Sequence, residues 1–414
     1  MIDSIIGIEG YSTRTPGIPG KIKYDPESFI VNEIPVEIPE NNHGKYTILK
    51  VRLRNWDTNK FLMHLADQLH ISNKRITYAG TKDKIGITTQ YFCINLPEGM
   101  EIGNINIGDA EIISTFRTDK MIKLGDLLGN EFIIDIQSDN DNTVQIGDTI
   151  DEIFKNMGFP NFYGYQRFGS IRANTHKIGK LLIQNKYEEA VKMYIYDPEF
   201  DREDYRKTFG ETGDARKAMK EFPEYLTFER SLLGYIIREN TYKDAFSVFP
   251  RYLSMLFIHA YQSYIFNRIL SERMKLTGSM YKVLDGDILY PVDRYFNPDR
   301  NQMIRASSYN IEKLNRLSME NRIRPAIPLI GYDTELSSGL EGDIEKKIME
   351  DEEINKKDFN LSSDRRMGSS GDYRIISVLP VDFKIIGKNK IKFSLGKGVY
   401  ATSLLREFIK GNLN

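Results

Sequence analysis

The stretch that carries most information about the fold reads Ala79-Gly-Thr-Lys-Asp-Lys-Ile-Gly-Ile-Thr-Thr-Gln90. It places two glycines, two lysines, three threonines and one carboxylate in a turn between two strand-like segments. Two interpretations are open for Asp83: a turn former that bonds to nearby backbone, or a functional carboxylate. Lys82 and Lys84 flank Asp83, and nearby cations favour an ionised carboxylate, which can act as a nucleophile.

Strand-like alternation of apolar and polar residues surrounds this stretch. Asp57 is predicted to cap a helix that reaches His70, because apolar residues recur there at helical spacing. A second predicted helix covers residues 144–157, and the first sheet-forming block ends near residue 160. The predicted strands of this block are 21–24, 29–31, 46–53, 89–96, 111–116 and 131–136.

From about residue 172 the pattern changes to mostly helical. We therefore expect an α+β fold, in which residues 1–160 and 372–414 form one sheet-containing domain and residues 161–371 form a mainly helical inserted domain. The predicted elements of the second half are helices at 173–184, 228–239, 252–275 and 402–410, and strands at 374–379, 383–386 and 390–395.

Composition places the chain among ordinary globular proteins. Of its 414 residues 40% are hydrophobic and 28% charged, which excludes a disordered, collagen-like or disulfide-framework protein. Its 57 Lys and Arg nearly balance its 58 Asp and Glu, so any contact with nucleic acid must come from local patches. Segments 200–221 and 341–357 alternate acids and bases, which predicts solvated helix faces.

Several site types are not expected. The single cysteine, Cys93, cannot form an internal disulfide or supply a cysteine zinc cluster, and the five histidines lack metal-ligand spacing, so we expect no metal site. No run of about 18 apolar residues occurs, which argues against a membrane span and against membrane contact. A cytoplasmic location is therefore expected.

Five further motifs follow a fixed order along the chain. Together with residues 79–90, they resemble the signature segments of the TruD family of tRNA pseudouridine synthases. They are Lys23-x-x-Pro26-Glu27-x-Phe29-x-Val31-x-Glu33, Gly129-Asn130-x-Phe132 (preceded by Lys123-Leu124-Gly125), Phe162-Tyr163-Gly164-Tyr165-Gln166-Arg167-Phe168-Gly169, Ala260-Tyr261-Gln262-Ser263-Tyr264-Ile265-Phe266-Asn267 and Tyr400-Ala401-Thr402-Ser403-Leu404-Leu405-Arg406-Glu407.

The resemblance implies a pseudouridine-synthase-type catalytic domain with a mixed, largely antiparallel sheet, and an inserted domain typical of the family. It implies an isomerase that converts a specific uridine of tRNA, position 13 in the family, to pseudouridine without any cofactor. The implied partner is tRNA, with no obligatory protein partner.

The resemblance also implies roles for particular residues. Asp83 would be the nucleophile, Lys23 its basic partner, and Phe132 the aromatic platform for a flipped-out base, with Asn130 shaping that pocket. The tRNA would lie in a cleft between the two domains. Attack by the carboxylate at C6 of the uracil and action at the ribose are both open.

Four further substrate-binding candidates have structural alternatives. Arg167 and Phe168 lie in a glycine-bounded loop suited to phosphate and base contacts, or they form a structural turn. Gln262 and Asn267 lie on a strongly apolar helix, where a buried amide commonly bonds to backbone instead of substrate. The residues predicted to provide local basic surface are Arg322, Arg324, Arg365, Arg366 and Arg374.

A non-catalytic RNA-binding protein of the same fold is the alternative to an enzyme. In that case the same loops would dock RNA, and Asp83 would only form a turn. Such a protein would retard tRNA but leave its uridines unchanged, which an assay for pseudouridine detects.

Overall fold

The structure is a computed structural model that describes residues 2–97, 99–100, 102–103, 105–169, 171–361 and 367–411. The strands are β1 (Phe29–Pro35), β2 (Tyr46–Arg54), β3 (Ile76–Tyr78), β4 (Ile87–Ile94), β5 (Ala110–Thr118), β6 (Leu127–Asp135), β7 (Phe159–Pro160), β8 (Ile288–Pro291), β9 (Ile304–Arg305), β10 (Ile323–Leu329), β11 (Asp372–Ile375), β12 (Ser377–Val378), β13 (Val381–Gly387) and β14 (Lys390–Gly396). The helices are α1 (Ile2–Ile5), α2 (Thr58–Gln68), α3 (Thr143–Lys155), α4 (Thr175–Ile183), α5 (Tyr187–Ile195), α6 (Asp204–Thr212), α7 (Ala215–Glu221), α8 (Thr227–Glu239), α9 (Arg251–Thr277), α10 (Ile311–Met319), α11 (Gly339–Asp351) and α12 (Ala401–Ile409).

The contacts within the chain divide it into two compact units. We call them the sheet unit and the helical unit. The assignment of these units as a catalytic domain and a family insertion stays a prediction. The sheet unit comprises Tyr11–Phe159, Pro291–Asn301 and Ser377–Asn414, and the helical unit comprises Met1–Gly10, Pro160–Tyr290 and Gln302–Ile376.

The main sheet of the sheet unit has the strand order β13-β14-β6-β1-β4-β2-β5. β1 and β4 run parallel, whereas β6 pairs antiparallel with β1 and β14, and β2 pairs antiparallel with β4 and β5. The mixed, largely antiparallel sheet implied by the resemblance is therefore confirmed, and with it the α+β class.

The path of residues 79–86 follows from how the strands share β4. One edge of β4 pairs with β2 along its whole length. The other edge is shared by β1, which pairs with residues 87–89, and β3, which pairs with residues 92–94. To connect β3 with the start of β4, residues 79–86 must therefore cross over β1. This crossing places the predicted functional loop above the inward side chains of β1.

Helix α2 covers the same face of the sheet. Its apolar stripe packs on inward residues of β2 and β4 in one buried cluster, as the helical spacing predicted. The predicted cap is confirmed, because Asp57 Oδ1 accepts from the backbone N–H groups of Asn59 and Lys60 at 3.0 Å each. The helix ends at Gln68, before His70, which has a left-handed φ of 50°.

The helical unit is organised around α9, whose residues are buried along much of its length. It also contains a second sheet with the order β11-β10-β8-β9. The predicted strand 374–379 was expected in the catalytic domain, but it is divided between the units: β11 pairs with β10 in the helical unit, with Arg374 opposite Ile327, whereas β12 belongs to the sheet unit. Alternation of apolar residues predicts a strand but does not say which sheet the strand joins.

The prediction of a solvated face at residues 341–357 is wrong for part of α11. Arg273 Nη1 lies 2.6 Å from Glu341 Oε2 and 2.7 Å from Asp287 Oδ1, and all three side chains are buried. Burial, reinforced by the charge of Glu341, raises the pKa of Glu345 to about 8. Alternating charge in the sequence therefore does not distinguish a solvated helix face from a helix that contributes to a buried ionic network.

The helices of the described residues include none with the length and apolar character needed to cross a bilayer.

Candidate active site

The loop at residues 79–86, which we call the Asp83 loop, is fixed at both ends. At its start, Gly125 N–H donates to the carbonyl of Ala79 at 2.7 Å. At its end, Gly86 N–H donates to Asn55 Oδ1 at 3.1 Å, and Asn55 N–H donates back to the Gly86 carbonyl at 2.9 Å. The loop is thus tethered by hydrogen bonds on either side of Asp83.

The carboxylate of Asp83 is paired with Lys23. Lys23 Nζ lies 2.7 Å from Asp83 Oδ2, and the two side chains are 13% and 37% exposed. The carboxylate is therefore reachable from solvent, whereas its cationic partner is mostly covered. Lys23 adopts a left-handed φ of 59°, an uncommon conformation for a residue other than glycine.

The flanking lysines do not both serve Asp83, which corrects the argument made from the sequence. Lys82 Nζ binds Glu33 Oε2 at 2.6 Å, and these two side chains are only 4% and 1% exposed. Lys84 is exposed to solvent. The cation in direct contact with Asp83 is thus Lys23, from a segment 60 residues earlier in the chain.

An aromatic cluster continues from this ion pair. Lys23 Nζ lies 4.4 Å from the centroid of the Phe29 ring, within the range of a cation–π contact. Phe29 meets Phe132 edge to face at 6.3 Å, and Phe132 stacks on Phe393 at 5.4 Å. Phe132 is 7% exposed, so most of its ring packs in the core. Its use as a platform for a base stays a prediction.

Asn130 belongs to a row of polar side chains on the inward face of the sheet. Asn130 of β6 is directly opposite Glu33 of β1. Thr88 and Gln90 of β4 face the same side, because Thr88 is opposite Val31, two residues before Glu33. In each of these four residues one buried side-chain oxygen has no hydrogen-bond partner among the described residues: Glu33 Oε1, Thr88 Oγ1, Gln90 Oε1 and Asn130 Oδ1.

Glu33 and Gln90 were quoted within motifs in the sequence but were given no role. A signal for them was present. Glu33 follows Phe29 and Val31 at the period of two that marks the buried face of a strand, and Gln90 likewise precedes Phe92. A charged or amide side chain at a core-facing position is unusual and points to a site.

The other four candidate residues lie in the helical unit. Arg167 is half-buried, and its Nε donates to Ser263 Oγ at 3.0 Å. Phe168 is 0% exposed and meets His176 edge to face at 5.2 Å. A ring buried to this extent offers no exposed face for stacking, and a base contact by Phe168 stays a prediction. A phosphate contact by Arg167 stays a prediction.

Gln262 and Asn267 make the backbone contacts of the packing alternative. Gln262 Nε2 donates to the Ile330 carbonyl at 2.7 Å and to Ser369 Oγ at 2.9 Å. Asn267 Nδ2 donates to the Ile6 carbonyl at 2.9 Å, and Asn267 Oδ1 accepts from Tyr163 N–H at 2.9 Å. Both amides are buried and join separate segments of the helical unit. Substrate contact by either residue stays a prediction.

The predicted basic surface is only partly present. Arg322 is exposed, but Arg324 is fully buried, where desolvation lowers the pKa of its guanidinium to about 10. Arg374 is part-buried, and its Nε donates to the Asn161 carbonyl at 2.9 Å. Arg365 and Arg366 lie outside the described residues. The sequence alone does not distinguish an exposed arginine from a buried one that donates hydrogen bonds to the backbone.

Nearly the whole chain is similar to a known protein family. A family model described as tRNA pseudouridine synthase D (TruD) matches residues 5–408. The chain belongs to the TruD family. The family resemblance of the six motifs is thereby confirmed, and TruD membership makes the chain an isomerase, a tRNA pseudouridine synthase.

Individual TruD relatives are similar over nearly their whole length. A protein of Picrophilus torridus, named "Probable tRNA pseudouridine synthase D", is 51% identical over 406 residues, 98% of this chain and 97% of the relative. A Thermoplasma volcanium protein of the same name is 47% identical and covers 93% of each chain. The crystal structure of a Methanosarcina mazei protein described as "Putative tRNA pseudouridine synthase D (TruD)" superposes with a TM-score of 0.83 at 35% identity, covering 100% of this chain and 98% of that one.

Proposed function

We propose that this TruD-family chain isomerises a specific uridine of tRNA, position 13 in the family, to pseudouridine, with Asp83 as the nucleophile on a flipped-out base. The observation that carries the proposal is the Asp83–Lys23 pair: a solvent-reachable carboxylate held at 2.7 Å from a mostly covered ammonium. This arrangement keeps an anionic oxygen in a defined position on a loop that is anchored at both ends.

The reaction needs little more than such a group. The N1–C1′ glycosidic bond of the uridine breaks, the base rotates, and a C5–C1′ bond forms. The proton lost from C5 is balanced by the one gained at N1, so no oxidant, reductant or phosphate donor is consumed. A carboxylate can promote glycosidic cleavage by adding to C6 of the ring or by acting at the ribose.

The base must leave its stack before Asp83 can reach it. Flipping a nucleotide costs a few kcal/mol, and an aromatic contact recovers about 1–3 kcal/mol per stacked base. Phe132 is joined to the ion pair through Phe29 and Lys23, so an aromatic contact beside the carboxylate is supported by the observed packing. The small exposed part of Phe132 is the surface proposed to contact the base.

Exposed lysines surround the loop and suit a phosphate backbone. Lys84 lies next to Asp83, and Lys123 lies in the segment whose Gly125 is bonded to Ala79. Lys397 is also exposed, and its Nζ donates to the Gly125 carbonyl at 3.1 Å. Such contacts would supply local positive charge on a chain of net charge −1. They support tRNA as the substrate of this site.

The test is a tritium-release or mass-spectrometric assay for pseudouridine on a mixed tRNA pool. The wild type should form pseudouridine, whereas Asp83→Asn, which is nearly isosteric but uncharged, should bind tRNA and form none. Asp109→Asn makes the same chemical change at an exposed turn of the sheet unit and should behave as wild type.

Two results would contradict the proposal. A folded Asp83→Asn protein with substantial activity would remove Asp83 as nucleophile. A wild-type protein that retards tRNA but leaves every uridine unchanged would instead favour a non-catalytic RNA-binding protein of this fold.

A further inference from the structure

The buried ion pair between Glu33 and Lys82 lies directly beneath the Asp83 loop. Its two side chains are 1% and 4% exposed, and their charged atoms are 2.6 Å apart. Burying two charges requires removing both from water, so a pair of this kind contributes little net stability compared with apolar residues of similar size. A role in fixing local geometry is the better-supported use of such a pair, and here it is adjacent to the candidate nucleophile.

Lys82 is held directly by two elements, and one of these is bonded to a third. Its Nζ is bound by Glu33 of β1, and its backbone N–H donates to Thr58 Oγ1, at the first residue of α2, at 3.0 Å. The same Thr58 oxygen also accepts from Gln90 Nε2 of β4 at 3.4 Å. The residue immediately before Asp83 is thus pinned by a strand, by a helix N-terminus and, through Thr58, by a second strand.

Glu33 also determines which cation Asp83 meets. Because the ammonium of Lys82 is engaged below the loop, the carboxylate of Asp83 is left with Lys23 as its direct partner. Without the charge of Glu33, the Lys82 ammonium would be buried and unpaired beside an exposed carboxylate. Re-pairing with Asp83 would then move the loop and engage the oxygen that has to react.

The surrounding polar atoms show that this face is not arranged for stability alone. Glu33 Oε1, Gln90 Oε1 and Asn130 Oδ1 are buried acceptors without a donor among the described residues. Leaving a buried acceptor unpaired is unfavourable, and such features cluster where geometry serves function. The unpaired oxygens and the buried ion pair occupy one continuous row of the sheet.

We propose that Glu33 is a positioning residue of the reaction, which acts through Lys82 to hold the Asp83 loop so that the nucleophile faces Lys23. This inference rests on the proposed function and adds a residue to it. Glu33 itself does not contact the reacting atoms. Its effect is on the rate of the chemical step and not on the affinity for tRNA.

The experiment compares Glu33→Gln with a matched control on the same sheet. Glu131 of β6 is ion-paired with Lys392 at 2.9 Å on the opposite face, so Glu131→Gln makes the same change away from the loop. Glu33→Gln should lower the single-turnover rate about 10²-fold, the effect of a misplacement of about 1 Å, with KM for tRNA within about twofold of wild type. Glu131→Gln should leave both quantities within about twofold.

The double variant Glu33→Leu/Lys82→Met separates positioning from folding. Replacing both charges with apolar side chains of similar size should preserve the melting temperature, because no buried charge is left unpaired. If Glu33 positions the loop through its bond to Lys82, the double variant is folded but slower than wild type, because that bond is lost even though no ammonium remains to pair with Asp83. Recovery of the rate together with the melting temperature, or a wild-type rate in Glu33→Gln, would overturn the inference. A wild type that forms no pseudouridine would overturn the proposed function itself.

Discussion

Replacing Gly86 with alanine should disturb both the stability of the sheet unit and the Asp83 loop. Gly86 has a φ of +130°, which side-chain-bearing residues rarely adopt, and a Cβ placed there would lie 2.4 Å from the carbonyl oxygen of Phe29. Real Cβ atoms essentially never approach other atoms within 3.0 Å. The close contact arises because the loop crosses over β1 on its way into β4.

The size of the effect follows from two contributions. Forcing a side-chain-bearing residue into a left-handed conformation costs about 1–2 kcal/mol. Displacing a backbone carbonyl within a paired strand adds about 1–3 kcal/mol, as for an overpacked core. Gly86→Ala should therefore lower the free energy of unfolding by about 2–5 kcal/mol, a large share of the roughly 5–15 kcal/mol typical of a folded domain. Turnover should also fall, because the N–H and the carbonyl of Gly86 both form hydrogen bonds with Asn55. A shift of Gly86 would weaken these bonds, which hold the end of the Asp83 loop.

Two other glycines separate the contributions. Gly125 has a φ of +95°, and a Cβ added there would meet no other atom within 4 Å, so Gly125→Ala should show only the conformational cost of about 1–2 kcal/mol. Gly129 lacks a positive φ, but a Cβ there would lie 2.1 Å from the Leu395 carbonyl oxygen, so Gly129→Ala should show only the steric cost of about 1–3 kcal/mol. Urea denaturation of the three variants measures each cost. A Gly86→Ala protein no less stable than Gly125→Ala would refute the reasoning.

Three further predictions concern Phe132, His176 and salt. Phe132→Leu loses the ring contacts with Phe29 and Phe393, so it should cost about 1–3 kcal/mol of stability and lower the single-turnover rate, whereas Phe132→Tyr should retain more of both; a fully active Phe132→Leu enzyme would remove this residue from the site. Burial lowers the pKa of His176 from 6.5 to about 4, so the unfolded chain binds a proton that the native chain does not as pH falls through that range. Unfolding free energy should therefore drop by up to about 3 kcal/mol between pH 6.5 and 4, and a His176→Gln protein with the same pH dependence in urea denaturation would contradict this. In filter-binding titrations, log affinity for tRNA should fall with log salt at a slope of about −0.7 to −0.9 per phosphate neutralised, and salt-independent binding would exclude a phosphate-led interface.

Local elements were predictable because local physics decides them. The cap of α2 at Asp57 needs only an acceptor side chain before an amphipathic run, and both are visible in the sequence. Strands β13 and β14 were likewise predicted from alternation, at nearly their observed bounds. The sheet that β11 joins was not predictable, because strand pairing depends on partner strands that are distant in sequence.

For the candidate site, too, the sequence predicted some features and not others. Asp83, Lys23, Asn130 and Phe132 could be named from motifs, and the structure brings these four into one connected patch of the sheet unit. Burial could not be read from the motifs. Phe168 has a motif position as good as that of Phe132, yet its ring is completely enclosed by the core of the helical unit.

By itself, the sequence determined the family and the order of its motifs and singled out Asp83 as the candidate carboxylate, because these depend on residue types at fixed spacing. Only the tertiary structure decided which cation serves that carboxylate. Lys82 is adjacent to Asp83 in the chain, but the loop turns its side chain down to Glu33, while Lys23 is brought to Asp83 from 60 residues away. The reason is that β1 passes beneath the Asp83 loop with Glu33 on its buried face. Glu33 pairs with the ammonium of Lys82, so the carboxylate of Asp83 pairs with the ammonium of Lys23.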